Sequence, residues 1–522
     1  MSIKASTAGL AKIKQARKDK GWNVDDPRWL EEASAVLEIN WETTGYLAEG
    51  ISEGTWKRFL AGKRPIKAEA FKVYSQILGL NWQEISTKDS VQNWGEAPES
   101  GIFYGRTNEL TTLEKWLLND KCRLVTLLGM GGIGKTALVI KFAESNQEQF
   151  EAIIWKSLRY IPTLEDFLGQ LILAVSNQQV SDLATGISAR LIQLIDCLRK
   201  RRCLLVLDDF ESVLWNGDFQ EEIARLNPTI NYRVGYEEYG EFIKRIGESQ
   251  HQSAIVLISR EKPKEIAAIE GKSPIRSLQL SGLQTIDAVE ILKNKGLSGE
   301  ERWETLTSLY RGNPLALNVV SATIQDLFNN SVQDFLNQNT LVITGFTDIL
   351  EQQFNRLSKL EKQVAYWLAI HYQPVSLSQL QNDIGLVKKS QLIDALQSLS
   401  WRSLIEKATG DVEVIFTLPP VVMKYVYNKF IEQVCEEIFE QNLELVKSHA
   451  FVNPEKDNFK EFKLKPILTA ITEHLTTAFR NDKHLRKHLS QILSILEGKP
   501  ALEIGYAEKN ILKLLAELDS GL

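Results

Sequence analysis

The residues whose types and spacing point most directly to chemistry lie in one glycine-rich stretch, Gly129–Thr136, which reads GMGGIGKT. The stretch fits the pattern GxxxxGK[ST], follows the aliphatic run Leu124–Leu128 and precedes an apolar segment with helical spacing. Backbone N–H groups of such a loop can point at phosphate oxygens, and the following helix adds the positive end of its dipole. The residues expected to bind phosphate or its metal ion are Gly129, Gly131, Gly132, Gly134, Lys135 and Thr136.

Two side chains of this loop have separate predicted roles. Lys135 would neutralise the β and γ phosphates, and the Thr136 hydroxyl would ligate Mg²⁺. A second metal anchor is expected from Asp208, at the carboxyl end of the aliphatic run 204–207, where parallel sheets place ligands. The adjacent Asp209 would orient or deprotonate an attacking water. The competing interpretation of the two carboxylates is a solvated strand end or a helix N-cap.

A third buried strand is predicted over Ser253–Arg260. Arg260 at its end would lie close enough to a γ-phosphate to distinguish ATP from ADP, and a purely structural ion pair is the alternative. The candidate catalytic residues are therefore Lys135, Asp208, Asp209 and Arg260.

Further apolar runs must supply the elements that position these residues. Two more strands are predicted over Ala152–Trp155 and Ile275–Leu280, with helical segments between the runs. Five strands alternating with helices predict an α/β fold with a parallel five-stranded sheet in three layers.

Length and composition restrict the class of protein. The 522 residues allow about three to five domains. A hydrophobic fraction of 43% and a net charge of −6 exclude a disordered chain and a generally polybasic nucleic-acid or membrane binder. The four cysteines form no CxxC pair, and the chain has neither a signal-like N-terminus nor an apolar run of ~18 residues. We therefore expect a cytoplasmic protein without a membrane span.

Four motifs in this order resemble the NB-ARC domain of STAND ATPases, which are P-loop NTPases that act as switches. The motifs are the glycine-rich loop, LLVLDDF, LISR and Arg311–Leu317, and the entry motif Phe103–Glu109 precedes them. The segment Tyr232–Gly240 resembles the cyanobacterial branch. The resemblance implies ATP or ADP with Mg²⁺, slow hydrolysis, and opening and self-association controlled by the nucleotide.

The resemblance also implies roles for individual residues. Arg106 would lie beside the nucleotide, Pro314 would contact its adenine side, and Arg260 would be the sensor arginine. Residues 346–428 resemble the winged-helix domain of the family, with a wing strand over 412–418. Where the family has Met-His-Asp, with a histidine that holds the ADP β-phosphate, this chain has Leu418, Pro419 and Pro420. Proline lacks an imidazole and an N–H donor, so the usual ADP contact must be absent or made by another residue.

The N-terminal residues resemble a phage-repressor-like helix-turn-helix. Glu53–Phe59 would be the recognition helix, capped by Ser52 and ended by Gly62, with Trp56 and Phe59 in the core. Cations near DNA would be Lys57, Arg58, Lys63 and Arg64. DNA binding, a protein adaptor and a structural cap all stay open, because no side chain is well placed for bidentate base recognition.

The C-terminal residues predict helices and no repeat of fixed period. STAND proteins usually sense their ligand through a C-terminal repeat array. Three alternatives therefore stay open: the ~90 helical residues act as the sensor, a partner supplies one, or the chain is a shortened member of the family. The predicted domains are 1–88 effector, 89–102 linker, 103–280 nucleotide-binding, 281–345 small helical, 346–428 winged-helix and 429–522 C-terminal helical. The sequence thus indicates an ATP/ADP switch that presents its N-terminal domain to protein or DNA. Its rivals are an ATP-controlled DNA-binding transcription regulator and a turnover ATPase.

Overall fold

The computed structural model describes most of the chain. The described residues are 2–37, 51–62, 64–86, 91–99, 101–180, 182–214, 232–271, 274–338, 344–385, 387–410, 413–451 and 466–520. Lys63 of the predicted DNA-facing cations and residue 412 of the predicted wing strand lie outside them.

Strands and helices are numbered here in chain order over these residues. Strands β1 to β11 are Ser2–Ile3, Ile66–Lys67, Val91–Asn93, Leu124–Leu128, Ala152–Ser157, Cys203–Asp208, Ala254–Ser259, Ile275–Gln279, Val375–Ser376, Glu406–Thr409 and Val414–Thr417. Helices α1 to α13 are Thr7–Asp19, Arg28–Val36, Glu53–Ala61, Ala68–Ile77, Trp82–Ile85, Thr107–Glu114, Lys135–Ser145, Leu164–Val175, Ile187–Lys200, Glu238–Glu248, Lys264–Ile269, Thr285–Asn294 and Trp303–Leu309. Helices α14 to α25 are Pro314–Leu327, Val332–Asn337, Thr344–Asn355, Lys359–His371, Leu377–Ile384, Lys389–Trp401, Pro420–Glu440, Glu444–Ser448, Ile467–Phe479, Asp482–Leu496, Ala501–Ile504 and Ala507–Ser520. Short 3-10 segments cover Gln147–Gln149, Phe210–Val213 and Glu300–Arg302, and a π-helical turn covers Lys115–Asn119.

The largest sheet among the described residues has the strand order β3–β5–β6–β7–β4–β8. Pairing is parallel in β3–β5, β6–β7, β4–β7 and β4–β8. All five strands predicted from the sequence are present, so the predicted α/β fold class is confirmed. The sixth strand, β3, falls within the predicted linker, and sequence analysis missed it because the surrounding residues are polar.

The central strands are buried along their whole length. Every residue of β4, β6 and β7 is buried, including the two polar residues that end β6 and β7. Continuous aliphatic runs suit strands that are covered on both faces, so the same pattern that predicted them also explains their position. The loops after β4, β6 and β7 lie at the same edge of the sheet because these strands are parallel.

A second, smaller sheet follows later in the chain. Strands β10, β11 and β9 form an antiparallel sheet in that order, and β11 is the wing strand predicted over 412–418. The prolines after β11 begin a 21-residue helix, with Pro419 as N-cap and Pro420 in the first turn. Proline is favoured there because its missing N–H would have no partner within the helix.

The N-terminal helices surround an aromatic core. Trp56 and Phe59 are buried, as predicted, and Trp56 stacks on Trp29 with ring centroids 5.4 Å apart. The Ser52 hydroxyl accepts from the Thr55 N–H at 3.2 Å, which confirms the predicted N-cap of α3.

Contacts divide the chain into two compact units. One contains 1–94, 146–154 and 201–203, and the other contains 95–145, 155–200 and 204–522. The domain boundaries predicted above stay predictions. Among the described helices, none combines the length and apolarity that a membrane span requires.

Candidate functional site

The glycine-rich loop joins β4 to α7 in a conformation that requires glycine at two positions. Gly132 and Gly134 have φ of 76° and 98°, a region that residues with a Cβ rarely adopt. A Cβ on Gly132 would also lie 2.6 Å from the Cβ of Leu315. The loop therefore keeps its shape only because these side chains are absent.

Lys135 lies at the start of α7 and is almost completely buried. Its Nζ donates to the carbonyl oxygens of Gly129 and Met130, at 2.8 and 3.1 Å. Burial lowers the pKa of the Lys135 ammonium to about 8, because desolvation disfavours the charged form. An anion beside this group would restore the charge that burial disfavours.

Thr136 and Asp208, the two predicted Mg²⁺ ligands, lie in direct contact. The Thr136 hydroxyl donates to Asp208 Oδ2 at 3.2 Å, and the other carboxylate oxygen accepts from the Asp209 N–H at 2.9 Å. Burial raises the pKa of the Asp208 carboxyl to about 7, and the negative charge of Asp209 adds to the shift. A divalent cation at this position would supply the missing positive charge.

Asp209 points toward a different set of groups. It has φ of 55°, and its Oδ2 accepts a hydrogen bond from the Ser157 hydroxyl at 2.9 Å. Arg159 Nε lies 3.8 Å from the same oxygen. The carboxylate proposed to orient water is thus held by the last residue of β5 and by a residue just after that strand.

Arg260 follows β7 and is paired with a carboxylate that the sequence analysis did not identify. Its Nε lies 3.0 Å from Glu211 Oε1, and its backbone N–H donates to Glu211 Oε2 at 3.1 Å. Its guanidinium carbon lies 3.4 Å from the place where a Cβ on Gly131 would be. Arg260 therefore lies beside the glycine-rich loop and forms an ion pair with Glu211. Its role in sensing a γ-phosphate stays a prediction.

Arg106 supports the loop from behind. One terminal nitrogen donates to the carbonyls of Ile133 and Ser281 at 3.0 and 2.7 Å, and the other pairs with Glu109 at 2.8 Å. The Arg106 side chain is buried, and one of its terminal nitrogens donates only to backbone carbonyls. Arg106 thus contacts the glycine-rich loop at the Ile133 carbonyl.

The start of α14 contacts the same loop. The Asn313 side chain caps α14 by accepting from the Leu315 and Ala316 N–H groups, and its Nδ2 donates to the Gly131 carbonyl at 3.0 Å. The Leu315 N–H donates to the Gly132 carbonyl at 3.3 Å. Pro314 Cγ lies 4.0 Å from the Cβ position of Gly134. Sequence analysis emphasised Pro314, whereas the direct polar contact comes from the preceding Asn313.

These groups surround a cavity of about 620 Å³. An apolar wall contains Ile102, Phe103 and Ile140, and Arg159 and Glu144 lie at its polar parts. The site residues that line it are Gly131, Gly132, Gly134, Lys135, Thr136, Asp208, Asp209, Glu211 and Arg260. The volume falls in the range of small-molecule sites, and apolar and charged walls in one cavity suit a base and a phosphate chain.

The site residues fit a nucleotide with Mg²⁺. The loop offers backbone N–H groups and one buried ammonium, and the Thr136–Asp208 pair offers two oxygen ligands of the kind Mg²⁺ prefers. Among the described residues, no cluster of three or more His, Cys, Asp or Glu side chains that could hold a metal ion is present.

A parallel sheet with this loop after one strand and carboxylates after another defines a P-loop nucleotide-binding fold. Residues 106–226 match the model of the NB-ARC domain. The match includes the glycine-rich loop and both aspartates, and NB-ARC domains are nucleotide-binding ATPase domains that bind ATP or ADP.

Sequence comparison relates the chain to proteins from three organisms. The chain is similar to a WD repeat-containing protein of Nostoc sp., with 42% identity over 584 aligned positions that cover 98% of this chain and 45% of that protein. It is also similar to the disease resistance RPP13-like protein 2 of Arabidopsis thaliana, 28% identical over 24% of this chain and 15% of that protein. The disease resistance protein RGA5 of rice is 31% identical over 20% of this chain and 10% of its own length. The chain thus spans less than half the length of each of these relatives.

Solved structures resemble the chain only distantly. A Walker-type ATPase of Pyrococcus abyssi is 16% identical with a TM-score of 0.42, covering 62% of this chain and 96% of its own. Cdc6p of Pyrobaculum aerophilum is 16% identical with a TM-score of 0.31, covering 64% and 97%.

Proposed function

We propose that the protein is an ATP/ADP-dependent signal-transduction switch of the STAND class that hydrolyses ATP slowly with Mg²⁺. The nucleotide would control opening and self-association, and the opened form would present the N-terminal residues to a partner. The observation that carries the proposal is the convergence of Lys135, the Thr136–Asp208 pair and Arg260 on one cavity beneath the glycine-rich loop.

Each residue of this set would have a separate task. Lys135 would bind the β and γ phosphates, and Thr136 and Asp208 would hold Mg²⁺. The bound ion would neutralise charge that builds up on the phosphate oxygens. Asp209 would orient the attacking water, for which its carboxylate would have to leave or share the Ser157 hydroxyl at 2.9 Å. Arg260 would contact the γ-phosphate after leaving Glu211.

Contacts between the loop and later parts of the chain support a switch rather than a turnover enzyme. Asn313 donates to the loop carbonyl of Gly131, and the side chain of Ile349 lies against the same glycine, 2.7 Å from its Cβ position. A change in the loop on nucleotide binding would therefore change the packing of α14 and α16. Such coupling is what allows two nucleotides to favour two conformations.

The N-terminal residues are proposed to act through protein contacts. Lys57, one of the cations expected near DNA, lies 2.7 Å from both Asp25 and Glu53. A phosphate contact by Lys57 would have to displace two carboxylates. An ATP-controlled DNA-binding regulator is the rival, and it requires sequence-selective DNA binding that is lost in the Lys57→Glu, Arg58→Glu double variant.

The experiment combines turnover with molecular mass on the full chain. We expect hydrolysis slower than about one ATP per minute, far below the ~10 s⁻¹ of ordinary enzymes. After removal of bound nucleotide, the ADP-loaded chain should be monomeric and the chain loaded with ATPγS and Mg²⁺ should form larger species by mass photometry. Lys135→Met should stay monomeric in both. Rapid turnover without a trigger, or equal mass with both nucleotides, would overturn the switch proposal.

A further inference from the structure

Glu211 is a buried carboxylate that none of the sequence motifs explains. It lies in the short 3-10 segment after β6, and its side chain is 9% exposed. Both of its carboxylate oxygens contact Arg260, one through the guanidinium and one through the backbone N–H. Glu211 also lines the same cavity, and its ion-pair partner Arg260 is the residue that would read the γ-phosphate.

A second buried cluster adjoins this pair. Arg356, immediately after α16, donates to the backbone carbonyl of Glu211 at 2.6 Å and to the carboxylate of Glu261 at 2.6 Å. Arg402, after α19, lies 2.7 Å from the same Glu261 oxygen and 3.7 Å from Glu361. Glu261 directly follows Arg260 in the chain.

The two groups together form one charge-balanced network. Its members are Glu211, Glu261, Glu361, Arg260, Arg356 and Arg402, three carboxylates and three guanidinium groups, with side chains between 8% and 24% exposed. A buried charge that loses its partner is strongly destabilising, whereas a complete set of pairs is tolerated. The network therefore stays balanced only while Arg260 remains on Glu211.

We propose that Glu211 is a positioning residue that competes with the γ-phosphate for Arg260, and that Arg356 transmits its release to α16 and the winged-helix region. This inference rests on the proposed nucleotide switch. When Arg260 turns to a γ-phosphate, Glu211 stays buried but loses its ion-pair partner. Arg356 already donates to the Glu211 backbone carbonyl, so movement of the Glu211 carboxylate toward it would weaken the Arg356–Glu261 pair. ADP has no γ-phosphate and leaves the network intact.

The contact also offers an alternative to the family's histidine, whose aligned position in this chain is Pro419. Arg356 and Arg402 both belong to the part of the chain that follows α16, and both are held by Glu261 next to the sensor arginine. The off state would then be stabilised from the γ-phosphate side of the site through Arg260 and Glu261. No contact by residue 419 or 420 is needed for it.

The test compares the ratio of ADP to ATPγS dissociation constants in wild type and Glu211→Gln, by calorimetry with Mg²⁺ on the full chain. Glutamine keeps the shape and a hydrogen-bond acceptor but removes the charge, so Arg260 becomes free for the γ-phosphate. We expect ATPγS affinity relative to ADP to rise at least fivefold, within the usual range of coupling between sites. Glu270→Gln, which removes a carboxylate paired with Lys262 outside this network, is the control and should leave the ratio unchanged.

A double-mutant cycle separates the inference from a general structural effect. In an Arg260→Gln background, the Glu211→Gln change should no longer alter the ratio, because the arginine for which Glu211 and the γ-phosphate compete is absent. A ratio unchanged by Glu211→Gln alone, or a change that persists without Arg260, would overturn the inference.

Failure of the proposed function and failure of the Glu211→Gln variant to fold can both be distinguished from failure of this inference. Wild-type protein that binds neither nucleotide would overturn the proposed function itself. If Glu211→Gln does not fold, Arg356→Gln provides the second test: it should raise the relative ATPγS affinity by weakening the same off state, and an unchanged ratio there would contradict the proposed route.

Discussion

Thr136 and Asp208, 72 positions apart in the sequence, are joined by a hydrogen bond of 3.2 Å at the bottom of the nucleotide cavity. The contact places the hydroxyl and the carboxylate where one Mg²⁺ could bind to both. Without the ion, the carboxyl of Asp208 is buried beside Asp209 with a pKa raised to about 7. A cation bound there would offset the cost of burying the ionised carboxylate.

Asp208→Asn should stabilise the nucleotide-free protein while removing the effect of Mg²⁺. The folded pKa of about 7 exceeds the ordinary value of 3.8, so ionisation destabilises the folded state increasingly as pH rises from 4 to 7, and fully above pH 7. We expect a gain on the order of 3 kcal/mol at pH 8, or about 5 °C in melting temperature, and little gain at pH 4. Thermal melts with and without Mg²⁺ and ADP measure both effects. Asp196→Asn, an exposed carboxylate paired with Arg199, is the control, and equal effects of the two substitutions would contradict the prediction.

Asn313→Asp should loosen the loop without uncapping α14. The aspartate oxygen can still accept from the helix N–H groups, but it has no donor for the Gly131 carbonyl. We expect faster amide exchange over 129–134 and ADP binding weakened roughly tenfold, the effect of ~1.4 kcal/mol for a lost buried hydrogen bond. Asn318→Asp removes a similar donor, 2.9 Å from the Pro314 carbonyl, but away from the loop. Unchanged amide exchange over the loop in Asn313→Asp would show that the hydrogen bond from Asn313 to the Gly131 carbonyl does not stabilise the loop.

Arg106→Ala should lower stability even in the absence of nucleotide. Its guanidinium holds the carbonyls of Ile133 and Ser281, and loss of these charged hydrogen bonds should cost on the order of 2–3 kcal/mol. Arg276→Ala removes an exposed arginine paired with Asp120 and should cost less than about 1 kcal/mol. Urea titration of the nucleotide-free chain measures the difference. An Arg106→Ala variant that unfolds at the same urea concentration as wild type, yet binds ADP weakly, would instead indicate that Arg106 contacts the nucleotide directly.

His449 should make the C-terminal helices sensitive to acid. Burial among Tyr366, Trp367 and Phe430 lowers the pKa of His449 from 6.5 to about 4. Between pH 6.5 and 4 the imidazole of His449 is protonated in the unfolded chain and neutral in the folded chain. The free energy of unfolding therefore has its full value with respect to His449 above pH 6.5 and falls as the pH drops through this window. His449→Phe should flatten this part of the melting profile by an amount on the order of 3 kcal/mol at pH 4. The exposed His484→Gln should not, and identical slopes for wild type and His449→Phe would contradict the assignment.

Much of the site could be predicted because it is local in the chain. Gly129–Thr136 and the two aspartates after β6 lie within short segments whose apolar runs also specify the strands before them. Parallel strands then bring the ends of those segments together at one sheet edge. That is why the Thr136–Asp208 contact followed from two separate motifs.

The supporting contacts could not be predicted in the same way. Asn313 reaches Gly131 across 182 positions, and Arg356 reaches Glu261 across 95. Such pairs depend on how helices dock on the sheet, which no local pattern specifies. One signal was available: Glu211 is a charged residue within Phe210–Leu214, a segment otherwise rich in apolar residues, where a buried carboxylate needs a cation.

The central claim is that the cavity below the glycine-rich loop holds ATP or ADP through Lys135. The most direct measurement is to purify the full chain and Lys135→Met, denature both, and identify any released nucleotide by chromatography. Lys115→Met, an exposed lysine outside the cavity, is the control. The account predicts ADP or ATP near one per chain from wild type and the control, and at least a tenfold loss from Lys135→Met. Equal nucleotide from all three proteins, or a wild-type chain that neither retains nor rebinds nucleotide with Mg²⁺, would contradict it.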